Sequence, residues 1–210
     1  MAQQLTSTPG RGGGERFAPG LTLGEARARL FALGGLREDG GYADAWVKLK
    51  LWRIPFAFPN TEGRRQAVRF HDLHHVLTEY PTTWRGEFEI AAWEVAGGIR
   101  RYWVAWLLDL LGFACGLVVW PRAVYRAFVR GRHSTNLYGD VWDESILGRR
   151  VGELRRRLGL GGAAPCATRA DKVSFALWAA ASAAAYVATG AVLLVPAGAL
   201  AAALWLSFAH

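Results

Sequence analysis

The chain has 210 residues, a formal net charge of +8 and two cysteines, Cys115 and Cys166. This length indicates one domain with appendages, and two cysteines exclude a small secreted domain built on disulfides, so a reducing compartment is expected. The positive charge suits nucleic acid or an anionic membrane surface. Because no zinc-finger, aromatic RNP or helix-turn-helix pattern accompanies the arginines, we expect a membrane and no nucleic-acid partner.

The chain begins with a stretch that lacks any apolar run. Residues 1–21 are rich in Gly, Gln and Thr, which predicts a disordered tail without a secretory signal. A capping-box pattern at Thr22–Glu25 predicts a helix that ends near Leu33. Tyr42–Trp52 is interpreted as a second helix, and prolines then break the chain.

Helical patterning dominates the remainder of the chain. Since strand alternation is nowhere sustained, we predict an all-α fold with a single helical domain at 22–160 and a linker at 161–172. A loop is expected at 136–150. The further predicted helices are 61–80, 83–95, 101–120, 121–130 and 151–158.

Two apolar segments raise the question of a membrane. Trp103–Trp120 is shorter than the ~20 residues of a span, and Asp109 at its centre costs roughly 2.5–3.5 kcal/mol in lipid. We therefore expect a buried core helix or the wall of an apolar cavity there. In the tail at 173–210, residues 173–209 contain no charged residue, and this run is longer than one crossing requires. It predicts a transmembrane helical hairpin turning near Thr189–Gly190, or one span to Val195 followed by an interfacial segment.

The charges that flank the tail predict its orientation. Arg169 and Lys172 precede the tail, and no lysine or arginine follows it. By the positive-inside rule, the main domain is expected on the cytosolic face of the membrane. In a bacterial cell this membrane would be the inner membrane.

The main cluster of potential ligands lies on either side of Pro81. His71, Asp72, His75 and Glu87 together read HD-x-x-H-x(11)-E. At about 100° per residue, the two histidines share one helical face, with Asp72 at its edge. His75 and Glu87 are equally far from Pro81, so an antiparallel helix hairpin would bring them level, with room for one ion between axes ~8–10 Å apart.

Two imidazoles and two carboxylates suit zinc, iron(II) or manganese, and no thiolate biases the choice. Glu79 lies on the same face, one turn beyond His75, and is a candidate fifth ligand or proton-transfer group, with an exposed helix glutamate as the alternative. His74 points partly away, as expected of a group behind the ligands or on the surface. A solvated polar face is the alternative for the histidines alone, and Glu87 at the matched spacing favours metal.

These residues and their surroundings resemble the coenzyme Q (ubiquinone) biosynthesis protein 4 family. The resemblance covers roughly 22–160. It rests on the motif, on RFHDLHHVLT at 69–78, on Gly86-Glu87, and on Trp142-Asp143-Glu144 followed by Val151–Arg155. The tail departs from the family's usual pattern, since members are generally peripheral on the membrane. An integral anchor is therefore expected in this chain.

The resemblance implies an all-helical protein with zinc on the four motif residues and a role in ubiquinone assembly. It implies removal of the ring carboxylate at C1 of a polyprenylated hydroxybenzoate, a lyase reaction, and association with other ubiquinone biosynthesis enzymes. In that chemistry the metal acts as a Lewis acid, and Glu79 or His74 is the candidate proton donor. An oxidative route, with oxygen delivered at C1, stays open.

Two other classes of function are compatible with the sequence. The first is a non-catalytic, lipid-binding scaffold that organises the biosynthetic enzymes, since four protein ligands would saturate a tetrahedral ion. The second is a metal-dependent hydrolase, which the absence of an HExxH motif and of a serine nucleophile signature makes weaker. An open coordination position would indicate catalysis, and a closed tetrahedron a structural brace.

Overall fold

The computed structural model describes residues 17–35, 37, 39–51 and 54–208. Helices dominate this part of the chain, together with one antiparallel two-stranded hairpin. The first sixteen residues of the predicted disordered tail lie outside the described residues. In chain order the elements are α1 Leu23–Leu33, β1 Trp46–Leu51, β2 Ile54–Pro59, α2 Glu62–Thr78, α3 Trp84–Gly97, α4 Trp103–Val119, α5 Pro121–Arg132, α6 Val151–Arg157 and α7 Arg169–Phe208, with short 3₁₀ turns at Leu137–Gly139 and Glu144–Gly148.

Threonine caps set the starts of the first three helices. At Thr22 the predicted capping box is confirmed: its hydroxyl accepts from the amide of Glu25, and the Glu25 carboxylate accepts from the amide of Thr22. Thr61 and Thr83 cap α2 and α3 in the same way, with their hydroxyls accepting from amides three residues on. These contacts satisfy amides that have no partner within the helix, so local sequence fixes the helix starts.

The predicted helix over Tyr42–Trp52 is wrong. The chain instead forms β1 and β2, paired antiparallel with Val47 opposite Phe58. The sequence WVKLKL alternates apolar and charged residues with a period of two, which is the strand period, and two prolines in IPFAFP oppose a helix on the other side of the turn. The expected loop at 136–150 also contains the two short 3₁₀ turns.

The core lies around α3, which packs against α4 and α5, while α2 packs against α1, α4 and α6. Arg155 of α6 links the end of α2 to the start of the described chain. Its guanidinium donates to the carbonyl oxygens of Val76 and Leu77 at the end of α2, at 2.8 and 3.0 Å, and to that of Phe17 at 3.0 Å. Phe17 is buried, so the packed part of the chain includes residues before the predicted boundary at Thr22. The largest fully buried side chains include Phe31, Phe70, Trp93, Phe113, Phe128 and Tyr138.

The apolar tail forms one continuous helix, so the favoured turn near Thr189–Gly190 is wrong. A single glycine costs a helix only about 1 kcal/mol relative to alanine, and the alanine-rich residues around Gly190 favour the helix. The start of α7 is fastened to the domain by Asp171, whose carboxylate accepts from the amide of Thr168 and from the ring of His133, both at 2.9 Å. Among the described residues, one helix is long and apolar enough to cross a membrane, and it covers Arg169–Val192.

Close contact between α3 and α5 depends on Gly131. A Cβ at this position would overlap the carbonyl oxygen of Trp93 and lie 3.0 Å from its Cα. We expect Gly131→Ala to lower the stability by about 1–3 kcal/mol, because the clash is with backbone that cannot move aside. The unfolding midpoint of the full-length protein in detergent measures this loss. Gly148→Ala, at an exposed glycine with nothing within 4 Å, is the control, and equal midpoints for the two variants would contradict the packing described.

Candidate metal centre

Three potential ligand groups meet between α2 and α3. Nε2 of His75 lies 3.2 Å from Nε2 of His71 and 3.4 Å from Oε1 of Glu87, and Nε2 of His71 lies 3.3 Å from Oε2 of Glu87. Glu87 therefore lies beside His75, as the equal spacing about Pro81 predicts, and a metal-binding hairpin of the two helices stays a prediction. The three groups are partly buried, with the side chain of His75 almost fully enclosed and that of Glu87 28% exposed.

The spacing of these atoms fits one small cation. Ligand atoms around a tetrahedral zinc ion, about 2.0–2.1 Å from the metal, are about 3.3 Å from one another. The separations of 3.2, 3.3 and 3.4 Å match that edge length. Metal binding itself stays a prediction. It requires that Nε2 of His71 and Nε2 of His75 carry no hydrogen.

Hydrogen bonds on the far side of each ring direct both Nε2 atoms toward the same point. Nδ1 of His75 lies 2.9 Å from the carbonyl oxygen of Tyr80, which only accepts, so Nδ1 carries the hydrogen. Nδ1 of His71 lies 3.1 and 3.2 Å from the two carboxylate oxygens of Glu94 and donates to them. Two Nε2 lone pairs would then face each other unless a proton or a cation lies between them. This is the tautomer pattern that metal-bound histidines adopt.

Glu94 is a fully buried carboxylate that accepts hydrogen bonds from three side chains. Besides His71, Nδ1 of His74 donates at 2.6 Å and the hydroxyl of Tyr138 at 3.0 Å. Burial alone would raise the pKa of Glu94, but the charge of His71 and the hydrogen bonds from His71 and His74 bring its pKa well below the usual value. Glu94 is therefore ionised and orients His71, as a carboxylate behind a metal-bound imidazole does.

His74 supports this network from the core. Its Nε2 accepts from the backbone amide of Leu137 at 2.9 Å, so the hydrogen is on Nδ1 and points at Glu94. Burial lowers the pKa of His74, which keeps the ring neutral. The expectation that His74 stands behind the ligands agrees with this position. The ring has no free nitrogen with which to face a substrate.

Asp109 is the single charged residue of α4, and it lies on the inner side of that helix. One of its carboxylate oxygens lies within 4.8 Å of a ring nitrogen of His71 and a carboxylate oxygen of Glu94, and its Oδ2 is buried with no hydrogen-bond partner among the described residues. Burial, with the negative charge of Glu94, raises the pKa of Asp109 well above the usual range. Because three side chains already donate to the oxygens of Glu94, little of that carboxylate is left to bind a cation beside Asp109. A protonated Asp109 therefore fits this position better than a second metal ion.

Two sequence-predicted site residues have other partners. The carboxylate of Asp72 accepts a hydrogen bond from the hydroxyl of Tyr42, and it is outside the groups of clustered ligand atoms. Glu79 ends α2 in a left-handed conformation, with φ of 65°, and its carboxylate pairs with Arg155 at 3.1 Å. The structure thus brings His71, His75 and Glu87 together, and it holds Asp72 beside them and Glu79 at a separate ion pair.

The loop between the two helices is tightly closed. A Cβ at Gly86 would overlap the carbonyl oxygen of Pro81, so the first turn of α3 lies directly against the loop. Together with the left-handed Glu79, this contact sets where α3 begins relative to α2. It places Glu87 opposite the histidines.

Sequence reasoning missed Glu94, Tyr42 and Tyr138. Glu94 had a detectable signal, since it follows Glu87 by seven residues, which is two helical turns on the same face. The two tyrosines come from segments distant in the sequence, and no local pattern identifies them. Asp109 was noticed only as an obstacle to a membrane span.

The first test of the site is metal content. We expect Glu87→Gln to reduce zinc in purified, reconstituted protein from one ion per chain to near zero, because the amide removes a charged ligand. Glu89→Gln is the matched control on the same helix, since Glu89 pairs with Arg85. Inductively coupled plasma mass spectrometry measures the content, and equal zinc in the two variants would refute the site.

A second test addresses the carboxylate behind His71. Glu94→Gln should bind zinc roughly 10–100-fold more weakly, because the amide cannot hold the His71 ring and its basicity as a carboxylate does. Tyr138→Phe removes only one of the three hydrogen bonds to Glu94 and should cause a smaller loss. Competition with a chromogenic chelator gives the affinities, and an unchanged Glu94→Gln affinity would show that Glu94 is not coupled to the ion.

Comparison of the chain with known proteins adds no relative to these observations. No protein-family model, no curated protein and no solved structure matches it. The functional argument therefore rests on the residues of this chain and on their geometry.

Proposed function

We propose that this protein is a membrane-attached, zinc-dependent decarboxylase that removes the ring carboxylate at C1 of a polyprenylated hydroxybenzoate during ubiquinone biosynthesis. One observation carries the choice of catalysis over a structural brace. Three ligand groups converge, while the fourth motif residue, Asp72, is hydrogen-bonded to Tyr42 instead. Three protein ligands and one position for water or substrate is the arrangement of catalytic zinc sites, whereas structural sites use four protein ligands.

The residues of the site divide the work in a way that fits this reaction. A zinc ion held by His71, His75 and Glu87 would supply Lewis-acid chemistry toward the carboxylate or an adjacent ring oxygen. Glu94 holds His71 by accepting from its Nδ1, and the carbonyl oxygen of Tyr80 holds His75 in the same way. Both contacts fix the ring planes before substrate arrives, so little reorganisation is needed.

Decarboxylation replaces a C–C bond by a C–H bond at C1. A proton is added to C1, the bond to the carboxylate then breaks, and carbon dioxide leaves as the ring regains aromaticity. We assign that proton to Asp72, which lies next to His71 in the chain and receives a hydrogen bond from Tyr42. Glu79 and His74 are less suitable, because Glu79 pairs with Arg155 and both nitrogens of His74 are engaged inside the core.

The resemblance implies the substrate class, and the apolar surroundings of the domain support it. A polyprenylated ring acid has a small polar head and a long apolar chain that dissolves in a bilayer. The apolar helix α7 supports a location in that bilayer. Arg169 and Lys172 before the tail support an orientation with the main domain on the cytosolic face, where other ubiquinone biosynthesis enzymes would be its partners.

The activity is tested with purified protein in liposomes that contain a prenylated hydroxybenzoate. We expect zinc-loaded wild-type protein to release carbon dioxide and give a product with hydrogen at C1, detected by mass spectrometry. Asp72→Asn should keep its zinc but lose at least about 100-fold in rate, within the range of a general acid. Glu87→Gln should lose both zinc and activity.

Each contrary result has a defined meaning. A product hydroxylated at C1 would indicate the oxidative route. Loss of zinc in Asp72→Asn would make Asp72 a ligand and remove the open position. Normal quinone levels in cells that carry only His75→Ala or Glu87→Gln would refute decarboxylation at this site. If only recovery of the partner enzymes fell in those cells, the scaffold function would replace it.

A further inference from the structure

The outward face of α4 is apolar over the whole helix. Its exposed side chains are five large apolar residues, and Val118 is 83% and Trp103 68% exposed. We call these residues the α4 outer face: Trp103, Leu107, Leu108, Val118 and Val119. A surface helix of a water-soluble protein normally carries polar residues at such positions. We therefore expect another apolar phase or molecule, and not water, to cover this face. The expectation of a buried core helix for this segment is therefore wrong for its outer side.

The one acidic residue of α4 does not weaken that conclusion. Asp109 is buried and points toward His71 and Glu94, away from the α4 outer face. The cost of an acid in lipid, which argued against a membrane role for this segment, therefore does not apply to the outer side of the helix. Only apolar side chains would meet whatever covers it.

The α4 outer face is continuous with the candidate membrane helix. Trp106 of α4 stacks on Trp178 of α7, with ring centroids 5.2 Å apart, and Phe113 contacts Phe175 at 5.7 Å. Beside these contacts, Leu177 of α7 is exposed. If α7 lies in a bilayer, the helix packed along its first turns lies at or in the same layer.

Positive charges flank both ends of α4. Arg100 and Arg101 precede the helix, and Arg122 and Arg126 follow it at the start of α5, and all four are exposed. Near an anionic membrane each such residue contributes about 1 kcal/mol. An apolar helix face with tryptophan and arginine at both ends matches a helix that lies along the interface of an anionic membrane.

We propose that the α4 outer face rests in the acyl-chain region of an anionic bilayer, next to α7, so that two helices rather than one hold the domain on the membrane. This inference does not depend on the reaction catalysed. A second copy of the chain is the competing occupant. The bilayer is favoured because the face is continuous with α7 and because the charges at its ends would repel the same charges on a second copy.

The test places a spin label on the α4 outer face of the full-length protein. Cys115 and Cys166 are first replaced by serine, and Val118→Cys or Val141→Cys is then introduced. Val141 is the matched control, because it is 78% exposed on the loop between the two 3₁₀ turns. Circular dichroism and the unfolding midpoint in detergent show that each variant is folded.

In liposomes of phosphatidylcholine and phosphatidylglycerol, the label at 118 should be accessible to oxygen and protected from a water-soluble nickel complex. The label at 141 should show the reverse. Equal exposure of both labels to the nickel complex would overturn the proposal. A short distance between two labels at 118, measured by pulsed dipolar spectroscopy and independent of protein density in the liposomes, would also overturn it and show that a second copy covers the face.

Discussion

A negative charge in the core, the carboxylate of Glu94, is the interaction on which the candidate centre depends. A buried carboxylate is tolerated only where donors surround it, and His71 and His74 of α2 and Tyr138 of the first 3₁₀ turn supply them. Each donor in turn takes one orientation. The ring of His71 is therefore aimed by the core of the protein and not by the solvent-facing part of the site.

The helix α4 lies between the candidate centre and the apolar exterior of the domain. Asp109 on the inner side of α4 lies near Glu94, and apolar residues such as Val118 cover the outer side. The centre and the apolar exterior are thus separated by the thickness of one helix. The proposed reaction and the proposed contact with lipid would be compatible in one small domain, because α4 faces the centre on one side and the exterior on the other.

Much of this arrangement follows from local sequence, and the failures have physical causes. Caps, prolines and the equal spacing about Pro81 predicted the α2–α3 pair and the meeting of His75 with Glu87. The hairpin of β1 and β2 was missed because the alternation in WVKLKL covers only a few residues, and so short a segment is compatible with a helix or a strand until its pairing partner is known. The bond from Tyr42 to Asp72 joins residues far apart in the chain, and only the packed structure reveals it.

The closed loop before α3 has a consequence for how the motif can vary. Because Gly86 fits against Pro81 with no space for a side chain, the loop works as a fixed spacer. Adding one residue within it would turn α3 by about 100° about its own axis and carry the carboxylate of Glu87 away from the imidazoles. The centre thus requires a fixed number of residues between His75 and Glu87 as strictly as it requires those two side chains.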